Sequence, residues 1–120
     1  MKLVDQVRSI LKASKESKNK RTAEFLEKEY DSFLEEVRKD VYKKIVEAAQ
    51  RQFEEIYFNF HPCNDNFMEH KTNYHIFSLN KDTVCQRLQK DIIRYLKNEG
   101  FQVEIDQYDN YEIRVSWMDE

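Results

Sequence analysis

The residues best suited to chemistry are concentrated in one stretch, HPCNDNFMEHKTNYHIFSLNKDTVC, which runs from residue 61 to residue 85. This stretch holds all three histidines and both cysteines of the 120-residue chain. Imidazole nitrogens and thiolates are the ligands that zinc prefers in proteins, so the stretch is a candidate zinc site. The candidate ligands are His61, Cys63, His70 and His75.

The spacing of these residues gives a zinc site limited support. Structural zinc sites usually pair ligands as Cys-x2–4-Cys or His-x3–5-His. His70 and His75 fit the second pattern, whereas His61 and Cys63 lie closer together than the rule allows. Cys85 falls on the apolar side of a predicted helix, where a free cysteine acts as a small hydrophobic residue. We therefore favour a connecting segment without a metal or other cofactor, and keep zinc as the alternative.

Nucleophilic catalysis by Cys63, with His61 as its base, is a second possible chemistry. A catalytic cysteine needs a depressed thiol pKa and groups that stabilise an oxyanion. No small-residue turn adjoins Cys63, and the chain has one glycine, which excludes a glycine-built phosphate cradle. We therefore predict no catalytic residue and a protein that is not an enzyme.

The segment before this stretch is predicted to be helical. Residues at helical spacing near the start form a short amphipathic helix: Leu3, Val7, Ile10 and Leu11. Residues 13–21 are poor in apolar side chains and predict a frayed helix end or a solvated loop. Thr22 is then a plausible N-cap for one long amphipathic helix over about residues 22–58, whose apolar residues recur every three or four positions.

The segment after residue 61 predicts a small β-α-β-β module. Alternating residues over 72–79 indicate a strand, and Asn80 or Asp82 can cap a helix over about 83–98. Gly100 stands where a helix C-cap glycine belongs, and two alternating runs between residues 101 and 117 indicate a β-hairpin. The predicted fold class is α+β, with N-terminal helices followed by a small antiparallel sheet carrying one helix.

The length is that of a single domain, residues 1–120. We divide it into a helical part (1–60), a loop with a short strand (61–82) and a helix with a β-hairpin (83–120). No apolar run approaches the roughly 18 residues of a membrane span. Two cysteines give no disulfide framework, which favours a reducing, intracellular and cytoplasmic environment.

Charge is distributed unevenly along the chain. Residues 1–21 hold seven Lys or Arg against two Asp or Glu, a net charge of +5, while residues 22–120 have a net charge of −8. The basic segment and the 83–98 helix make nucleic-acid binding an alternative function, although an acidic body repels phosphate. The residues that would serve this alternative are Lys15, Lys18, Lys20, Arg21, Arg87, Lys90 and Arg94.

The apolar stripe of the predicted 22–58 helix is longer than one small domain can easily cover, because such a helix would extend roughly 50–55 Å. Part of the stripe is therefore predicted to bury against another protein chain, most simply a second copy in a homo-oligomer. The predicted interface residues are Val37, Val41, Ile45 and Phe53. The preferred function is protein–protein interaction or a structural role.

The stretch from Thr83 to Trp117 contains a helix, then GFQV, then a hairpin closing on IRVSW. This arrangement resembles the C-terminal module of small proteins of bacteriophages and large DNA viruses. The resemblance covers less than a third of the chain and carries over no catalytic residue. It implies a small virus-encoded component, such as one associated with the virion.

Overall fold

The structure is a computed structural model that describes residues 2–61 and 79–118. Within these residues the chain forms three helices and three strands. The helices are α1 (Leu3–Lys28), α2 (Tyr30–Gln50) and α3 (Lys81–Asn98), and the strands are β1 (Glu55–Asn59), β2 (Gln102–Ile105) and β3 (Glu112–Ser116). The predicted α+β class, with helices first and a small antiparallel sheet after them, is confirmed.

Helix α1 runs without interruption through residues 13–21, so the predicted frayed end or loop there is wrong. Lysine, glutamate and alanine are good helix formers, and they support a helix even where no apolar stripe exists. Thr22 is not an N-cap but an interior residue of α1. Its Oγ1 donates a hydrogen bond to the Lys18 carbonyl (2.8 Å) and accepts one from the Asn80 backbone N–H (2.7 Å).

The predicted helix over 22–58 is wrong at both ends and in the middle. Glu29, at φ −120° and ψ −13°, separates α1 from α2, and α2 ends at Gln50. Residues 55–59 form strand β1 instead of a last helical turn. Ile56 and Phe60 fit a helical spacing, but Ile56, Phe58 and Phe60 also fit the two-residue period of a strand. Phe58 is buried, at 4% exposure, so this segment adopts the two-residue period of a strand.

The described strands pair antiparallel in the order β1–β3–β2. Ile56, Val115 and Val103 lie in register, as do Phe58, Ile113 and Ile105. Ile113 and Val115 are fully buried, so this face is turned toward the helices. The opposite, outer face carries polar rows such as Tyr57, Arg114 and Glu104. The strand predicted over 72–79 lies outside the described residues, except for the buried Leu79 at a bend.

Helix α3 and the hairpin follow the prediction closely. Asn80 caps α3, because its side chain accepts a hydrogen bond from the Thr83 backbone N–H at 3.3 Å. Gly100 ends the helix with φ +95°, and the Phe101 N–H donates to the Leu96 carbonyl at 3.0 Å. Because residues 55–59 belong to the sheet, the first of the three predicted parts of the domain is not helical throughout.

One core holds these elements together. It is formed by α2, α3 and the inner face of the sheet, with Phe25 from α1 and Leu79 added. In α2 the buried residues recur every three or four positions from Tyr30 to Ala48, which is the stripe that the sequence indicated. No helix within residues 2–61 and 79–118 combines the length and apolar character needed to cross a membrane.

Candidate functional site

The predicted zinc ligands fall mostly outside the described residues: Cys63, His70 and His75 all do. His61 is exposed, its backbone N–H donates to Asn59 Oδ1 (2.8 Å), and its ring meets the edge of the Tyr111 ring with centroids 5.0 Å apart. Across the described ranges, no three His, Cys, Asp or Glu side chains gather as a metal site would require. The zinc alternative therefore stays a prediction.

Cys85 is buried in α3 and is 3% exposed, as its place on the apolar side of the helix predicted. Burial, with the nearby Asp82 carboxylate as a smaller cause, raises the pKa of the Cys85 thiol to about 11. Asp82 also accepts a hydrogen bond from the Tyr111 hydroxyl, and this bond raises the pKa of the Tyr111 phenol. A buried thiol with a raised pKa is a packing residue rather than a nucleophile.

Three of the four predicted interface residues belong to the chain's own core. Val37 and Val41 are fully buried and Ile45 is 4% exposed. The helix α2 stripe is covered because it ends at Gln50 instead of residue 58, and α3 and the sheet suffice to bury it. The interface prediction is therefore wrong for these three residues, while Phe53 remains exposed at 58%.

The cations predicted on α3 have acidic and aromatic neighbours. The Arg87 guanidinium lies over the Tyr30 ring, 4.3 Å from its centroid, and its Nε lies 3.9 Å from an Asp91 carboxylate oxygen. The Tyr30 hydroxyl donates to that same Asp91 oxygen at 2.6 Å. Burial, followed by this hydrogen bond, raises the pKa of Tyr30 well above its ordinary value. Arg87 thus stabilises the α2–α3 contact and is poorly placed to bind phosphate.

A groove of about 390 Å³ lies between α2 and α3 beside this cluster. Arg38, Arg87 and Arg94 line it together with Asp31, Asp91 and Glu99, so its charges balance. Arg38 also covers the Tyr95 ring at 4.9 Å. Lys90, the other cation predicted on α3, is exposed. Balanced charge gives this groove little attraction for a polyanion.

The remaining predicted cations, Lys15, Lys18, Lys20 and Arg21, lie on α1. Every side chain from residue 2 to residue 21 is exposed. We call residues 3–21 the arm; at 1.5 Å per residue it is roughly 28 Å long. Its apolar side chains are also exposed: Leu3 at 78%, Val4 at 48%, Val7 at 62%, Ile10 at 69% and Leu11 at 53%.

The apolar side chains of the arm share one face. Val7 and Phe25 are 18 residues apart, which is about five whole helical turns, so they point in the same direction. Phe25 is fully buried in the core. The apolar stripe of the arm thus continues the core-facing side of α1 beyond the point where the body ends. Lys15 and Lys18 follow Leu11 by four and seven positions, so cations continue the same stripe.

The sequence indicated an amphipathic helix at Leu3–Leu11 but did not identify it as an exposed surface. The signal was present in residues 13–21, which are apolar-poor yet rich in helix formers. Such a segment cannot pack on a core, and as a helix it holds the preceding apolar turns at a distance from the body. A frayed helix end or a loop at residues 13–21, as predicted, does not place Leu3–Leu11 on an exposed continuation of α1.

A second exposed surface lies at the β-hairpin. A groove of about 370 Å³ is lined by Tyr57, Arg114 and residues 104–108, and we call this surface the hairpin face. Two large side chains of this face are exposed: Tyr57 at 54% and Tyr108 at 94%. Arg114 is held between Glu104 (2.6 Å) and Glu55 (3.4 Å). Residues 102–116 hold four carboxylates against this single guanidinium.

The turn of the hairpin is fixed by its aspartates. Asp106 Oδ1 accepts hydrogen bonds from the backbone N–H groups of Tyr108 (2.7 Å) and Asp109 (3.0 Å). Asp109 accepts from the Tyr111 N–H at 2.9 Å and from the Asn59 side-chain amide at 3.0 Å. These bonds hold the backbone around Tyr108, so a ring that is almost fully exposed is presented on a rigid support.

No family model, curated protein or solved structure matches this chain. The resemblance of residues 83–117 to phage and DNA-virus proteins therefore stays a prediction.

Proposed function

We propose that this chain works by binding another protein chain, and that the arm is its binding element. The observation that carries the proposal is the row of five apolar side chains on the arm, each 48–78% exposed. Folding of the described body does not bury them. Burial of each against a partner would contribute about 1.5–3 kcal/mol. Because residues 83–117 resemble a module of bacteriophage and large DNA virus proteins, we extend the proposal: the chain is a small virus-encoded component.

The composition of the arm supports a partner rather than a purely solvated extension. Isolated helices of this length are marginal in water, because nucleation is unfavourable and packing normally supplies most helical stability. A solvated spacer has no need of aliphatic residues at helical spacing, yet Leu3, Val7 and Ile10 have that spacing. An amphipathic helix that lays its apolar face into a groove is a recurring mode of protein recognition.

The test compares two double variants of the full chain. Val7→Glu with Ile10→Glu places charge on the apolar stripe, and Ser9→Glu with Ala13→Glu makes the same charge change off the stripe. All four positions are exposed, so neither variant should lose the fold. Affinity capture from the cell that naturally makes the chain should recover protein partners, including further copies, with wild type and the control but not with V7E/I10E.

The opposite result is equally informative. If V7E/I10E captures the same set of proteins in the same amounts as wild type, the arm is not the binding element and the proposal fails.

Nucleic-acid binding remains the second candidate, because Lys15, Lys18, Lys20 and Arg21 are all exposed on the arm. It predicts an affinity for duplex DNA or RNA that falls steeply with salt and is lost when these four residues are replaced by glutamine. V7E/I10E would keep much of that binding, since it retains all four cations. Binding that is absent even at low salt would remove this candidate.

A further inference from the structure

We propose that the partner of the arm is a second copy of this chain, whose hairpin face receives it; this inference rests on the proposed function. The two surfaces complement each other in both charge and polarity. The arm, residues 3–21, combines exposed aliphatic side chains with a net charge of +4. The hairpin face joins the exposed rings of Tyr57 and Tyr108 to carboxylates that outnumber its cation.

Charge makes this pairing better than pairing between two arms. Two arms side by side would bring two segments of net charge +4 together, and like charges in contact are destabilising. On the hairpin face, Glu104 and Asp106 line the groove, and Arg114 is already engaged by Glu55 and Glu104. Lys15 and Lys18 of an incoming arm would therefore meet negative charge beside apolar surface.

Charge and composition also disfavour lipid and nucleic acid as the principal partner of the arm. Residues 22–120 have a net charge of −8, which repels a phosphate surface. The arm also lacks Trp, Tyr and Phe, the aromatic residues that anchor interfacial helices in a bilayer. A protein surface that offers both carboxylates and apolar rings satisfies the arm better.

The arm cannot reach the hairpin face of its own chain by folding back. Helix α1 is continuous from Leu3 to Lys28, and Thr22 and Phe25 fix its second half to the body. Thr22 is tied to Asn80, at the start of α3, by a 2.7 Å hydrogen bond. As one continuous helix fixed in this way, α1 directs the arm away from the body, so the occupant of the face comes from another molecule.

The hairpin face is ready to bind without rearrangement. Tyr108 stands on a turn held by Asp106 and Asp109, so little conformational freedom remains for binding to remove. Rigid, exposed tyrosines are favoured anchors at protein interfaces for this reason. Each contact joins the arm of one copy to the hairpin face of another. If a two-fold axis relates the two copies, two such contacts form a reciprocal dimer, whereas another rotation gives a ring or an open assembly.

The experiment uses four variants of the full chain, and native mass spectrometry with sedimentation velocity reads the assembly. The arm variant is V7E/I10E, with S9E/A13E as its control. The face variant is Tyr57→Lys with Tyr108→Lys, which removes apolar contact and repels the basic arm. Its control is Tyr42→Lys with Phe53→Lys, the same change at side chains that are 57% and 58% exposed elsewhere.

Wild type and both controls are expected to self-associate, whereas the arm variant and the face variant each weaken association by about tenfold or more. An equimolar mixture of the arm variant and the face variant should form a one-to-one heterodimer. In that mixture the intact arm of one chain meets the intact face of the other. Circular dichroism should show the same helix content in all five proteins.

Three results would overturn the inference. Wild type could remain monomeric at every concentration, the face variant could associate as wild type does, or the mixture could give no heterodimer. In the first case the proposed function still stands if V7E/I10E loses captured proteins, and it fails as well if capture is unchanged. Association lost in Y42K/F53K instead would assign the contact to the surface that carries Tyr42 and Phe53, and would also overturn the hairpin face.

Discussion

Tyr30, Arg87 and Asp91 form the most tightly connected polar cluster between the two central helices. The Tyr30 ring is buried at 1% exposure under the Arg87 guanidinium, and its hydroxyl donates to the Asp91 carboxylate. No sequence pattern predicts this cluster, because its members are brought together only by the packing of α2 on α3. What the sequence did predict at this scale depends on local spacing, as for the Asn80 cap and the buried Cys85.

Tyr30→Phe should lower the free energy of unfolding by about 1.5–3 kcal/mol at neutral pH, since it removes a hydrogen bond to a charged partner. Tyr42→Phe, at a tyrosine that is 57% exposed, should change it by less than about 0.5 kcal/mol. Urea unfolding of the three proteins measures both values. Equal stability of wild type and Y30F would show that the Tyr30–Asp91 hydrogen bond does not stabilise the fold.

The same cluster predicts a pH dependence. The folded-state pKa of Tyr30 is raised above its ordinary value of 10.0, so the protonated phenol is favoured in the native state. This stability is fully present below about pH 10 and is lost as pH rises further, because the unfolded chain then ionises while the native phenol does not. The stability difference between wild type and Y30F should therefore shrink as pH rises from 9 to 11, measured by urea midpoints. A difference that stays constant would contradict the raised pKa.

At the scale of elements, helices α2 and α3 end in the same way but with different residues. In α3 the Gly100 N–H donates to Lys97 and the Phe101 N–H to Leu96. In α2 the Gln52 N–H donates to Ala49 and the Phe53 N–H to Ala48, with Gln52 at φ +66°. Both are Schellman endings, which place one residue in the left-handed region. The sequence identified the first by its glycine and missed the second, which carries glutamine.

Because the two helices end in the same way, substitutions at Gln52 and Gly100 should change the stability of the chain in opposite directions. Gln52→Gly should stabilise the chain by about 0.5–1 kcal/mol, because glycine adopts a positive φ without strain. Gly100→Ala should destabilise it by about 1–2 kcal/mol. A Cβ at Gly100 would meet no atom within 4 Å, so that cost is conformational and not steric. Thermal and urea unfolding measure both, and a destabilised Q52G would show that Gln52 has a stabilising contact of its own.

The element boundaries show which parts of a fold are local properties. Helix α3 and the hairpin have unambiguous periods, an Asn cap and a glycine ending, and their predicted and observed extents agree closely. Residues 53–60 have apolar side chains that fit both a helical and a strand period. The choice of strand is made by pairing with β3, whose residues lie 53 to 61 positions later in the chain, and local spacing cannot predict that pairing.

At the scale of the whole molecule, the body buries its own stripe and the arm does not. The predicted surplus of apolar surface exists, but it lies at Leu3–Leu11 and not at Val37, Val41 and Ile45. The longest dimension of the molecule is 67 Å, against 31 and 22 Å for the other two. A partly basic arm beyond an acidic body gives one chain two surfaces of complementary character, which is the basis of the proposed self-association.

Salt should weaken that association without abolishing it. The charges of the arm and the hairpin face are exposed, so their attraction is screened at high ionic strength. The aliphatic and aromatic contacts are unaffected by this screening. Sedimentation of wild type at low and high salt should therefore show a weaker but persistent assembly, and association that strengthens with salt would argue against charge complementarity.

Amide hydrogen exchange in the arm, measured as a function of protein concentration, tests whether the arm of one chain binds the hairpin face of another. When molecules are separate, the amides of residues 3–21 should exchange quickly, because the exposed helix opens locally. At high concentration the arm and residues 104–108 should become protected together, while exchange in α2 stays unchanged. Exchange in the arm that is equally fast at every concentration, with residues 104–108 also unaffected, would show that the arm does not bind the hairpin face.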